Sequence, residues 1–168
     1  HDPSVQKPDY KTPVSRLQNS QQPGDIVLLN GMDPSISFLH YYTGGLPWHD
    51  LRSLQKASYE QVDQALSSAT RGARRVWLFR QYQAKGAVEA WLASHGWLAT
   101  ESFYNGLYFS VYGLPALPAV RHDLALASPP FLDLAGWDLV GGQGTASATL
   151  EAGDVVGVTT RWRVLQTP

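Results

Sequence analysis

The sequence predicts an α/β fold: a Rossmann-like three-layer unit with a mostly parallel sheet, followed by a short β-rich segment resembling part of a sandwich. Two continuous apolar runs of strand length, Ile26-Val27-Leu28-Leu29 and Val76-Trp77-Leu78-Phe79, read as strands buried on both faces. Stretches with helical spacing flank and separate them. From Phe103 onward the hydrophobic period changes to that of strands, with Leu107, Phe109 and Val111 on one face and Tyr108, Ser110 and Tyr112 on the other.

Residues 1–9 are a polar leader containing Pro3 and Pro8. The segment from Tyr10 to Ser20 reads as a short helix with Tyr10, Val14 and Leu17 on one side, Pro13 being admissible only in its first turn. Pro23-Gly24-Asp25 turns the chain into the first strand, and Asn30-Gly31-Met32 turns it out again. Asp33 then supplies an N-cap and Pro34 the first helical position, with Ile36, Leu39 and Thr43 on one face before Gly44-Gly45. After a loop from Leu46 to Lys56, Ser58 and Gln61 form a capping box ahead of the stripe Tyr59, Val62, Leu66 and Ala69. A further helix from Gly86 to His95 turns Val88, Trp91 and Leu92 inward, and Gly96 is its C-cap. Asn105-Gly106 predicts a hairpin with a type I′ turn.

Leu114-Pro115-Ala116-Leu117-Pro118 is punctuated by proline and marks the best domain boundary. The expected organisation is an α/β unit over 1–113, a linker over 114–122 and a β-rich segment over 123–168. In that segment Leu132 to Val140, Ala146 to Leu150 and Val155 to Leu165 read as strands. So few strands do not close a sandwich of about seven, so the segment reads as truncated, or its few strands are expected to pack on the first unit. The chain begins His1-Asp2-Pro3, without Met, and is expected to be a piece of something longer.

Composition excludes several classes. A net charge of −1 leaves no basic footprint for nucleic acid, and the absence of cysteine removes thiol catalysis and zinc–thiolate sites. Six Trp and eight Tyr argue for a packed core rather than disorder. Neither G-x-G-x-x-G nor a Walker loop follows the first strand, so no cofactor is expected. Asp33 at the helix start also disfavours a phosphate there. G-x-S-x-G is missing, and the histidines 1, 40, 49, 95 and 122 have no metal-ligand spacing. The basic run Arg71, Arg74 and Arg75 reads as structural, at the end of a helix where cations suit the dipole. Asp25 and Asp154 read as turn residues.

The densest polar-aromatic cluster is His40-Tyr41-Tyr42 with Trp48-His49-Asp50. Its candidate substrate-binding residues are Tyr41, Tyr42, Trp48, His49 and Asp50, whose rings would stack on sugar faces while His and Asp bond hydroxyls. The structural alternative, which we favour, has the tyrosines packing a helix under its loop. No residue is assigned a catalytic role.

Taken together, Asp9-Tyr10-Lys11, Pro23-Gly24-Asp25-Ile26-Val27-Leu28, Tyr41-Tyr42-Thr43-Gly44 and Arg75-Val76-Trp77-Leu78 resemble the soluble tail of bacterial multi-spanning glycosyltransferases. These enzymes are similar to dolichyl-phosphate-mannose protein mannosyltransferases and lipid A aminoarabinose transferases. Leu134-Ala135-Gly136-Trp137-Asp138-Leu139, Glu151-Ala152-Gly153-Asp154-Val155-Val156 and Arg161-Trp162-Arg163 are similar to the β-rich segment that follows that tail in some members. The resemblance implies a location outside the cytoplasmic membrane and a polyprenyl-phosphate-sugar donor. It implies as partner the membrane-embedded remainder of the parent protein. The family's catalytic acids lie in an early loop between membrane helices, which this chain lacks, so none is carried over. The expectation is therefore a non-catalytic accessory domain that covers the active site or helps recognise the acceptor. The alternatives are a carbohydrate-binding or adhesive surface module, and a small α/β enzyme whose pocket gathers His40, His49 or Asp25.

Overall fold

The computed structural model describes residues 7–31, 34–81, 85–114, 120–127, 132–140 and 157–164. The chain divides into two units, His1–Leu114 and Pro115–Pro168. In the first, the described elements are α1 (Lys11–Ser20), β1 (Asp25–Asn30), α2 (Pro34–Tyr41), β2 (Trp48–Asp50), α3 (Tyr59–Ala69), β3 (Arg75–Gln81), α4 (Ala87–His95), β4 (Trp97–Tyr104) and β5 (Leu107–Gly113).

These strands form one sheet in the order β2-β1-β3-β5-β4. β1 is parallel to both β2 and β3, whereas β5 is antiparallel to both β3 and β4. The sheet is thus mixed, and the expected Rossmann-like, mostly parallel arrangement is not what forms. The reason is the Asn105-Gly106 hairpin. Both turn residues have positive φ, 46° and 87°, as a type I′ turn requires, so β5 must run back along β4. That returning strand occupies the place beside β3 where a parallel strand would otherwise follow the α4 crossover. β2 has three residues and lies within the stretch that reads as a loop, too short to leave a periodic signal.

Even-numbered β1 and β3 side chains, Ile26, Leu28, Val76 and Leu78, pack with Val62 and Leu66 of α3 and Val88, Trp91 and Leu92 of α4. The opposite face is aromatic. Phe79 stacks on Tyr10 and meets Phe38 and Phe109 edge-on at 5.2 and 5.1 Å. Both faces of β1 are therefore covered, which is why its four apolar residues run without interruption. Burying each of them contributes roughly 1.5–3 kcal/mol of gross stabilisation.

Local signals locate most helix ends. The α1 helix buries Pro13, Val14 and Leu17, with Pro13 in its first turn. Ser58 accepts from the Gln61 N–H and Gln61 returns a bond to the Ser58 N–H, completing the capping box of α3. In α3 Val62 and Leu66 are buried while Tyr59 is exposed. Gly96 follows α4 in extended, not left-handed, backbone; a Cβ there would collide with the Gly113 carbonyl, so close approach of β4 to β5 demands the glycine. In α2 the face that carries Ile36 and Leu39 is not the one that meets the core. Ile36 and Leu39 are exposed, Thr43 lies beyond the helix, and Phe38 and Tyr42 enter the core instead. Asp33, expected to cap this helix, lies outside the described residues.

In the second unit β6 (Val120–Ala127), β7 (Leu132–Val140) and β8 (Gly157–Val164) form an antiparallel sheet in that order. β6 begins at Val120, inside the stretch read as a linker, and the strand expected at Ala146 to Leu150 lies outside the described residues.

Candidate functional site

The neighbouring strands β1 and β3 send their chains to opposite faces of the sheet, β1 into α2 and β3 into α4. In an open α/β sheet this opens a crevice beyond the carboxyl ends of the two strands. Asn30 and Arg80 are register partners at that point. Both are buried, together with Glu89 of α4. The Glu89 Oε1 accepts from Asn30 Nδ2 at 3.2 Å and faces Arg80 Nε at 3.4 Å, while its Oε2 accepts from the Gly86 N–H at 2.8 Å. The Arg80 guanidinium lies 4.0 Å from the Tyr108 ring centroid and 3.9 Å from Glu101 Oε2. Glu101 also takes Lys85 Nζ at 3.1 Å and the Ser110 hydroxyl at 3.0 Å.

These groups form a charge-balanced network, two cations against two carboxylates, that links α4 and the edge strand β4 to β3. Burial acts to raise the Glu101 pKa, but the Lys85 ammonium, the Ser110 hydroxyl and the Arg80 charge outweigh it and hold it below the usual carboxylate value. A carboxylate depressed in the folded state stabilises the fold above its unfolded pKa, and that contribution is lost as pH falls through the folded value. Lowering the pH below about 5 is expected to destabilise the native chain more than Glu101→Gln, as read by urea unfolding at successive pH values; parallel stability curves would contradict this.

The five residues named from sequence do not assemble into one constellation. Tyr42 is buried, stacks on Phe38 at 4.7 Å, donates to Gln21 Oε1 and accepts from the Leu46 N–H. Burial raises its pKa, the Leu46 N–H partly offsets this, and the Asp25 charge adds to the rise, so the phenol stays neutral and serves as a structural donor. Tyr41 is exposed, with His40 edge-on at 4.7 Å. Trp48, 38% exposed, and Asp50 stand on the face of Val27 and Leu29, whereas His49 stands on the face of Leu28. His49 and Asp50 therefore point to opposite sides and form no dyad. Asp50 closes a local turn, accepting from the Arg52 N–H at 3.0 Å and pairing with Arg52 Nε at 2.8 Å.

Asp25 likewise has a structural role, larger than a turn. It receives Arg75 Nε at 2.8 Å and Nη2 at 2.6 Å, Trp77 Nε1 at 2.9 Å and the Gln22 N–H at 2.9 Å. Arg75 also donates to the Ser20 carbonyl at 2.7 Å, so the helix end it complements is that of α1, not α3.

Ser94, His95 and Asp63 come within reach of one another, an arrangement that invites comparison with a hydrolase triad. His95 Nδ1 lies 3.0 Å from Ser94 Oγ and Nε2 lies 3.9 Å from Asp63. The Trp91 carbonyl, an acceptor only, lies 2.9 Å from the same Nδ1, which must therefore carry the proton. The Ser94 hydroxyl donates to that carbonyl too, at 2.8 Å. Among the described residues no base faces the serine, and the group is a helix C-terminus stacked on Trp91.

An open cleft of about 790 Å³ runs along α2, lined by Ile36, Leu39, His40 and Tyr41 and by Lys7 and Pro8 of the entering chain. Ile36 is 69% exposed, Leu39 46% and Tyr41 41%. Sequence reading missed both this surface and the Arg80–Glu89 network. For Glu89 a signal existed, its position three residues after Gly86 ahead of an apolar helix, which is the spacing of a capping box. For Arg80 there was only its place at the end of an apolar strand.

Among the described residues no group of three or more His, Asp or Glu is placed to hold a metal ion, and no helix is long and apolar enough to cross a membrane. Comparison with protein-family models, curated proteins and solved structures returns no match.

Proposed function

We propose that this chain is a non-catalytic, extracytoplasmic accessory domain of a polyprenyl-phosphate-sugar-dependent membrane glycosyltransferase. It covers the active site or aids acceptor recognition. The sequence resemblance supports this reading, and the observation that carries it is the exposed apolar-aromatic surface of α2 beside the cleft. Such a surface serves contact with a partner better than it serves chemistry. The charged groups gathered at the sheet crevice and at Asp25 face one another and hold elements together. The partners are the membrane-embedded remainder of the parent and a saccharide or polyprenyl-phosphate sugar.

The first test is the hydropathy of the full-length parent, which should show several apolar segments of about 20 residues. A parent without them overturns the proposal. The exposed rings of Trp48 and Tyr41 favour a second reading, a carbohydrate-binding or adhesive surface module. It requires saccharide affinity that is lost in Trp48→Ala or Tyr41→Ala, in a parent without membrane helices.

A further inference from the structure

The α2 cleft combines three features. Ile36 and Leu39 are adjacent on the helix surface and exposed, with His40 beside them. Tyr41 closes the helix with an exposed ring, a side chain suited to the boundary between water and hydrocarbon. Among the described residues that line it, Lys7 contributes an ammonium and none carries a carboxylate.

We propose that this surface lies on an anionic lipid bilayer, Ile36, Leu39 and Tyr41 entering the headgroup boundary while Lys7 meets lipid phosphates. The inference rests on the reading of the chain as a domain held beside a membrane. An anionic membrane fits better than a protein partner for two reasons. A helix of eight residues presenting a few apolar side chains covers too little area for a stable protein interface, but suffices for shallow insertion. The Lys7 ammonium, with no carboxylate among the described lining residues, matches the negative surface of acidic lipids, a basic residue near such a surface contributing about fivefold in partitioning.

The test is co-sedimentation of the 168-residue chain with phosphatidylcholine vesicles and with vesicles of which about a quarter is phosphatidylglycerol. The chain is expected to bind the anionic vesicles and to be released by salt. Ile36→Ser with Leu39→Ser should weaken binding about tenfold or more. Lys7→Glu should weaken it about fivefold or more on anionic vesicles only. All three positions are exposed, and circular dichroism is the check that the variants fold. Equal binding to both vesicle types, binding unchanged in the double variant, or no binding overturns the proposal. So does a dimer of the native chain that the double variant abolishes, since a second copy would then be the occupant. These results concern the chain alone and are independent of the parent's hydropathy, so either reading can fail without the other.

Discussion

Replacing Asp25 with alanine is expected to destabilise the α/β unit by about 3–5 kcal/mol. The carboxylate is buried and accepts four hydrogen bonds, two from Arg75 and one each from the Trp77 indole and the Gln22 backbone. Alanine removes the charge facing a guanidinium that is itself only 7% exposed, and takes the acceptor from two further donors. The cost comes less from the lost pair than from the desolvated groups left behind. Asp25→Leu combined with Arg75→Met should therefore recover more than half of the loss, because it removes both charges and supplies apolar volume. Urea unfolding followed by tryptophan fluorescence reads both effects. A loss under about 1 kcal/mol for Asp25→Ala would show that the network contributes little, as surface pairs do.

The second large effect is expected at Glu89, whose replacement by alanine should cost about 3 kcal/mol. The side chain balances Arg80, accepts from Asn30 and caps the N-terminus of α4 through the Gly86 N–H. Loss of the cap alone accounts for about 1 kcal/mol. The remainder is the buried guanidinium, which keeps the Tyr108 ring and Glu101 nearby, so the loss stays at the lower end of the range for a broken buried pair. Glu89→Gln retains the cap and the volume and should lose distinctly less. Equal losses for Ala and Gln would mean that charge alone matters, and small losses for both would contradict the network's role in holding α4.

Much of the α/β unit is legible in the sequence because its signals are local. Ile26 to Leu29 and Val76 to Phe79 announce buried strands by continuity, Ser58 with Gln61 announces a helix start, and Asn105-Gly106 announces a hairpin. What is not legible is long-range. The hairpin predicts that β5 runs against β4, but nothing local says that β5 returns beside β3 and makes the sheet mixed. Periodicity places Ile36 and Leu39 close together on α2 but does not say whether that face is covered. The cluster read at Trp48-His49-Asp50 was dense in sequence only. Once those residues form a strand, the pleat sends neighbours to opposite faces and disperses it. The Arg80–Glu89–Glu101 network joins residues from β3, α4 and β4 that only the completed fold brings together.

The central claim is that this chain assists a membrane glycosyltransferase without performing its chemistry. It is tested most directly by measuring sugar transfer from a polyprenyl-phosphate sugar, comparing the full-length parent, the parent lacking this domain and this chain alone. The account predicts transfer by the parent, a fall of about tenfold or more when the domain is removed, carried mainly by a raised KM for the acceptor, and none by the chain alone. Undiminished transfer without the domain, or turnover by the isolated chain, would contradict it.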